Sequence, residues 1–203
     1  MPSSEPEIKF NQASFLLSAA KVSQLPKDDG AEIAFIGRSN AGKSSALNAL
    51  TEQKKLAKIS KTPGRTQLIN VFELNNQNRL IDLPGYGYAK VPDQVKKDWS
   101  IMLDKYLRQR ECLRGLVLVM DARHPLQELD WQFLRWTESC DIDTHIILTK
   151  SDKLKFGQRK LVLLDTAKQI KKLKNKVSVQ LFSGPIKLGI EELQQKLLDW
   201  YLE

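Results

Sequence analysis

The sequence predicts an α/β domain, and three observations carry that prediction. Short β-type runs alternate with longer helical patterns along a chain of 203 residues. A Gly-rich segment, GRSNAGKS at 37–44, stands between one such run and a helical pattern. The composition, 41% hydrophobic and 28% charged, is that of a folded domain able to fill a core.

The elements follow in order. Residues 15–20 form a short amphipathic stretch expected to be a packing helix, with 1–30 an N-terminal extension packed on a single domain spanning 1–203. A turn cluster at 26–30 precedes EIAFI at 32–36, a buried strand that ends at Gly37. Residues 43–50 read as helix, and 51–66 carry Lys, Thr, Pro and Gly with no apolar period, the mark of a loop. QLINVFEL at 67–74 reads as a strand, NNQN at 75–78 as a hairpin turn, and 79–82 as the returning strand. A Gly/Pro/Tyr-rich loop, LPGYGYAKVP, comes next. Helical spacing over 93–110, 126–139, 157–174 and 190–202 alternates with strands at 115–120, 145–148 and 177–182. The expected fold is therefore a six-stranded, mostly parallel sheet flanked by helices, made mixed by the hairpin.

Several classes are excluded by composition. Two cysteines, Cys112 and Cys140, make no disulfide framework, and with His124 and His145 they make no zinc pattern. The apolar runs are far shorter than a membrane-spanning helix needs, and MPSSEPEIKF carries neither a basic n-region nor an apolar h-region. The expectation is a cytoplasmic protein without a transmembrane segment. Lys and Arg total 32 against 24 acidic residues, a net charge of +8. That excess fits an anionic partner, nucleic acid or membrane face, and fits equally a lysine-rich solvated surface.

The chemistry sits in four motifs. GRSNAGKS matches the P-loop pattern from Gly37 through Arg38, Ser39, Asn40, Ala41 and Gly42 to Lys43 and Ser44. Its glycines let successive backbone N–H groups turn toward phosphate oxygens, and Lys43 adds a point charge for the β and γ phosphates. The Ser44 hydroxyl suits Mg²⁺. DLPG (Asp82, Leu83, Pro84, Gly85) follows a strand 39 residues after Lys43, placing a carboxylate near the metal and a Gly85 N–H near the γ-phosphate. TKSD (Thr149, Lys150, Ser151, Asp152) decides the base. A carboxylate at Asp152 accepts from N1–H and the 2-amino group of guanine, whereas adenine offers it a lone pair. Lys150 would lie along the base and Thr149 would tie its loop to the P-loop. Phe182, Ser183 and Gly184 follow the last strand, where a backbone N–H is expected to reach guanine O6. The motifs specify GTP and GDP as ligands, and TKSD argues against an ATPase or kinase.

Four longer segments, GRSNAGKSSALNAL at 37–50, SKTPGRTQLIN at 60–70, DLPGYGYAKVP at 82–92 and MDARHPLQELD at 120–130, resemble the EngB family. This family lies in the Era/septin-like branch of the translation-factor-related GTPases. The resemblance covers about residues 8–202 and implies a single Ras-like P-loop GTPase domain. It implies that Thr66, rather than its sequence competitor Thr62, completes Mg²⁺ coordination beside Ser44, and that Gly64, Arg65, Thr66, Gln67 and Leu68 line the nucleotide. It further implies a GTPase acting in large ribosomal subunit assembly, through ribosomal RNA and proteins, and needed for cell division and septation. A monomer is expected, and with no glutamine after DLPG its turnover is expected to be slow and partner-stimulated. The competing expectation is a division regulator that binds protein or membrane without touching RNA. Tyr86 stands where Ras-like enzymes carry a water-orienting glutamine. Asn40 matches an asparagine that in relatives coordinates K⁺. The catalytic candidates are Lys43, Thr66 and Asn40, and Asn40 is read equally as a K⁺ ligand or a structural brace.

The remaining features have plainer expectations. Trp99, Trp131, Trp136 and Trp200 lie on helical stretches and read as packing. Tyr86 and Tyr88 sit in a loop and read as partner contacts. Lysines 168, 171, 172, 174 and 176 read as an RNA-facing stripe or as simple solvation. His124, before Pro125, reads as a helix-start residue, and both cysteines as inert.

Overall fold

The computed structural model describes residues 8–57, 68–75, 77–87 and 92–203. Its strands are β1 (Ser14–Ala19), β2 (Ala31–Gly37), β3 (Ile69–Glu73), β4 (Asn78–Asp82), β5 (Leu113–Asp121), β6 (Thr144–Thr149) and β7 (Val177–Leu181). Its helices are α1 (Lys43–Leu50), α2 (Asp93–Gln109), α3 (Glu128–Ser139), α4 (Phe156–Ile170) and α5 (Ile190–Leu202). The strands form one sheet in the order β1-β3-β4-β2-β5-β6-β7. Strands β4, β2, β5, β6 and β7 run parallel, and β3 is antiparallel to both β4 and β1.

Both faces of the sheet are covered, as parallel strands with apolar residues on both sides demand. Along β2 the side chains alternate between two cores. Ala34 and Ile36 join Leu103, Tyr106, Phe133 and Leu134 from α2 and α3. Ile33 and Phe35 join Leu47 and Leu50 of α1 and Leu193, Leu197 and Trp200 of α5. All seven residues of β2 are buried, which makes it the axis of the domain.

The seventh strand is a correction. Residues 15–20, expected as a helix within a six-stranded fold, run as β1 along the outer edge of β3. Its side chains are mostly exposed, Phe15 by 57%, so no apolar alternation marks it in the sequence. Backbone pairing to β3 decides it, with Phe15 in edge contact with Phe72 and Ser18 Oγ donating to Asn70 Oδ1 at 2.7 Å. The lysine-rich helix is also shorter than expected and stops at Ile170.

The sheet is pinned at its other end by a buried carboxylate. Glu32, at the start of β2, accepts from Arg110 Nη2 (2.6 Å) and Nε (3.0 Å), Tyr106 Oη (3.1 Å) and Arg79 Nη1 (3.4 Å). So many partners are what allow a charge to stay inside a protein.

On β6, His145 is buried with one ring nitrogen 2.7 Å from Ser178 Oγ and the other 2.8 Å from Gln180 Oε1. Burial pushes the imidazole down from 6.5 to about 4, the nearby Lys196 adding to it. The unfolded chain takes up this proton first, so the stability involved is present above pH 6.5 and is lost as pH falls toward 4. Urea titrations at pH 7 and pH 5 should differ by about 2 kcal/mol from this residue. His145→Gln should remove that part of the slope; an unchanged slope would show that His145 is not its source.

Candidate functional site

The carboxyl ends of the parallel strands meet at one edge of the sheet, where open α/β folds bind ligands. Register places them side by side: Gly37 opposite Val119, Phe35 opposite Asp82, and Asp121 opposite Thr149. The loop after β2 folds back on the segment after β4. Ser39 N–H donates to the Tyr86 carbonyl at 3.0 Å and Tyr86 N–H to the Gly37 carbonyl at 3.2 Å, bridging Arg38 to Tyr86. The chain then turns through Asn40 (φ 63°) and Gly42 (φ 102°) into α1. A side chain at Gly42 would be strained and would press on Thr149, while a Cβ at Gly37 would collide with the Val119 carbonyl.

This turn leaves the N–H groups of Asn40, Gly42, Lys43 and Ser44 without partners among the described residues. They form a cradle of donors at the start of a helix, which favours an anion. The Lys43 ammonium makes a close ion pair with Asp82, whose other oxygen accepts from Asn70 Nδ2 at 3.2 Å. The Ser44 hydroxyl has no hydrogen-bond partner among the described residues. A hydroxyl without a described partner, next in sequence to the lysine that pairs with Asp82 and on the anion cradle, is a hard-oxygen donor of the kind Mg²⁺ takes. Among the described residues, no group of three or more His, Cys, Asp or Glu could hold a metal alone.

The second half of the site lies after β6. The Thr149 hydroxyl reaches the Ala41 carbonyl in a close contact and the Met120 carbonyl at 2.9 Å, tying this loop to the phosphate loop. Lys150, at φ 57°, donates to the Asn40 carbonyl at 2.7 Å and pairs with Asp121 Oδ2 at 3.0 Å. Arg123 grips the same carboxylate at 2.7 Å. Burial opposes charge on Asp121, but the hydrogen bonds from Arg123 and Lys150 outweigh it and hold the carboxyl well below the usual range. Asp152 accepts from Ser183 Oγ at 2.7 Å, and this bond, helped by Lys153 at 3.3 Å, lowers its pKa. Asp152 is thus an ionised acceptor.

Most of the anticipated residues gather here: 37–44, 82–85, 149–152 and 182–184. Gly64, Arg65, Thr66, Gln67 and the competitor Thr62 lie outside the described residues, as does Tyr88; Leu68 is described, exposed, just before β3. Within 182–184 the donors are partly committed. Phe182 N–H goes to Leu148 O and Ser183 N–H to Leu188 O, both at 2.9 Å, which leaves that of Gly184. The side chain of Ser183, not anticipated, orients Asp152 instead.

Tyr86 is a second correction. It is only 7% exposed, stacks on Phe133 at 5.4 Å and donates to Asp130 Oδ1 at 2.7 Å, so it is a core residue rather than a partner contact. Burial keeps its phenol protonated far above the ordinary range. Asp121, Arg123 and Asp130 also escaped the sequence reading. Asp121 alone had a signal, since it ends a strand as Asp82 does. The lysines at 168, 171, 172, 174 and 176 are all exposed, though Lys172 lies 4.5 Å over the Trp131 ring and Lys176 pairs with Asp143 at 3.7 Å.

Comparison with known proteins agrees with this geometry. The profile of the family described as "50S ribosome-binding GTPase" matches residues 32–150. A probable GTP-binding protein EngB of Coxiella burnetii (strain RSA 493 / Nine Mile phase I) is 54% identical over 192 residues, covering 95% of this chain and 94% of the relative. One of Francisella tularensis subsp. novicida is 50% identical over 196 residues, covering 96% of this chain and all of the relative. A crystal structure of a probable GTP-binding protein engB superposes with a TM-score of 0.67 at 24% identity, over 84% of this chain and 98% of that one. With a phosphate cradle, a DLPG strand end and an ionised TKSD aspartate at one sheet edge, and relatives at this identity over nearly their whole length, the chain belongs to the EngB family of GTP-binding proteins, as a single P-loop GTPase domain.

Proposed function

We propose that this protein is a slow, monomeric GTP switch that acts in the cytoplasm on the assembling large ribosomal subunit, with cell division and septation depending on that supply. The observation that carries the reading is the single-edge site, in which the phosphate loop and the TKSD loop are bonded to each other through Thr149 and Lys150. The description of the matching family and the net charge of +8 support a ribosomal RNA and protein partner.

In this reading the donors of residues 37–44 and the Lys43 ammonium receive the phosphates. Lys43 must then exchange Asp82 for phosphate, which frees the carboxylate to face the metal region. Ser44 and Thr66 would hold Mg²⁺, which would supply positive charge that neutralises the phosphates. Gly64, Arg65, Thr66, Gln67 and Leu68 line the nucleotide. Asp152 takes the guanine edge, Lys150 lies along the base and Gly184 N–H reaches O6. Hydrolysis is attack of water on the γ-phosphorus, with GDP leaving as the β–γ bond breaks. Tyr86 is committed to Asp130 and orients no water, which accounts for a slow intrinsic rate.

The Asn40 side chain has no hydrogen bond to any described residue, which disfavours its role as a brace. Asn40 would hold K⁺, whose charge beside the phosphates substitutes for an arginine finger.

Three measurements test this assignment. Asp152→Asn should weaken GDP and GTP binding in parallel by about ten- to hundredfold, the loss of one charge-assisted pair, read by fluorescence titration. Normal affinity would move the base pocket elsewhere. Turnover should be higher in K⁺ than in Na⁺ at equal ionic strength, and Asn40→Ala should bring the two rates together; equal rates in the unaltered protein would leave Asn40 outside catalysis. Sedimentation with ribosomal particles should show binding to large-subunit precursors with a GTP analogue and release with GDP. Identical sedimentation in both states, or none, would remove the ribosomal role and favour the division-regulator alternative.

A further inference from the structure

One carboxylate receives the side chains of both residues that bridge the phosphate loop to the segment after DLPG. Arg38 and Tyr86 face each other in that bridge. Tyr86 Oη donates to Asp130 Oδ1 at 2.7 Å, and Arg38 Nε stands 3.3 Å from the same oxygen. The other oxygen, Oδ2, accepts from Gln127 N–H at 2.9 Å at the start of α3. Asp130 is fully buried, and a charge in such a place is kept only by partners of this kind.

Each bridge residue is held from a second side. Arg38 Nη2 donates to the His124 carbonyl at 3.0 Å, and the Tyr86 ring is stacked on Phe133 with planes 10° apart. Two residues before Tyr86, the Pro84 carbonyl accepts from Trp99 Nε1 of α2 at 3.2 Å. Trp99 in turn meets Trp136 edge-on at 6.3 Å, and Trp136 meets Phe133 at 6.1 Å. Gly85 is therefore clamped between two neighbours that are both anchored to the helical layer.

We infer that Asp130 is a positioning residue for GTP hydrolysis. Acting through Tyr86 and Arg38, it sets the Gly85 N–H against the phosphate loop at the place where a γ-phosphate must lie. The free donors of the phosphate loop, at Asn40, Gly42, Lys43 and Ser44, have no bond to Asp130 or Tyr86, and the α and β phosphates fall to them. The bridge alone, two backbone hydrogen bonds, leaves the segment free to rotate about its own axis. Tying both bridge side chains to one fixed oxygen removes that freedom. Small misplacements of a group aligned on the reacting phosphate cost far more in rate than in ground-state binding.

The inference rests on the γ-phosphate contact assigned to Gly85. The test uses the full chain with Mg²⁺, comparing Kd for GDP, Kd for a non-hydrolysable GTP analogue, and single-turnover hydrolysis. Tyr86→Phe removes one hydroxyl and leaves Asp130 its ion pair with Arg38 and its hydrogen bond from Gln127 N–H. It should keep GDP affinity within about threefold while hydrolysis, and to a smaller degree analogue affinity, falls roughly ten- to hundredfold. Asp130→Asn should show the same split; if it fails to fold, Tyr86→Phe decides alone. Wild-type hydrolysis in Tyr86→Phe, or parallel weakening of both nucleotides, would overturn the proposal and leave a purely structural brace. Gly85→Ala read in the same way separates the two levels. Unchanged analogue binding and hydrolysis there would sink the Gly85 contact and the proposal with it, whereas a loss there with an inert Tyr86→Phe sinks the proposal alone.

Discussion

Everything in the site is referred to β2, whose burial along its whole length makes it the least movable part of the chain. Four other strands run parallel to it or to its neighbours, so their carboxyl ends emerge at the same level. A parallel sheet cannot be built without this alignment, and it delivers the phosphate loop, Asp82, Asp121 and Thr149 to one edge at no further cost. Side-chain bonds then only trim the positions: Thr149 to Ala41, Lys150 to Asn40, Ser183 to Asp152.

The two ends of β2 show opposite ways of handling polar groups. At the amino end Glu32 is surrounded by two arginines and a tyrosine, every oxygen bonded, and the region is closed. At the carboxyl end the N–H groups of Asn40, Gly42, Lys43 and Ser44 have no described partner, and the Ser44 hydroxyl and the Asn40 side-chain amide are likewise open. Unpaired donors are unfavourable for folding and favourable for an anion, so the first end contributes order and the second contributes binding. The Lys43–Asp82 pair belongs to neither case, because a phosphate competes directly for the ammonium.

Rigidity also differs by position around the nucleotide edge. The residues from Leu83 to Tyr86 are tied to β2, α2 and α3 by Leu83 N–H to Phe35 O, Trp99 to Pro84 and Tyr86 to Asp130. A segment so anchored acts as a reference against which a phosphate is measured, rather than as a group that travels to meet it. The absence of a glutamine at position 86 then has a structural reading. The position is occupied by a side chain whose work is to hold the backbone.

The motifs and the order of the main strands were legible in the sequence because their causes are local. A phosphate cradle needs glycine at a positive φ and a lysine within one turn, and Gly42 and Lys43 supply both within two residues. Runs such as 32–36 and 115–120 are apolar on both faces wherever they sit in the chain. Strand β1 was not legible, since six residues with both faces largely exposed carry no decisive period, and the free edge of β3 chose the conformation. Nor was the burial of Tyr86, which depends on Phe133 and Asp130 more than forty residues on. The roles of Asp121, Asp130 and Ser183 likewise come from partners distant in sequence. Spacing along a chain announces which residues meet a ligand, but which residues hold those in place is decided by where folding brings a second side chain within three ångströms.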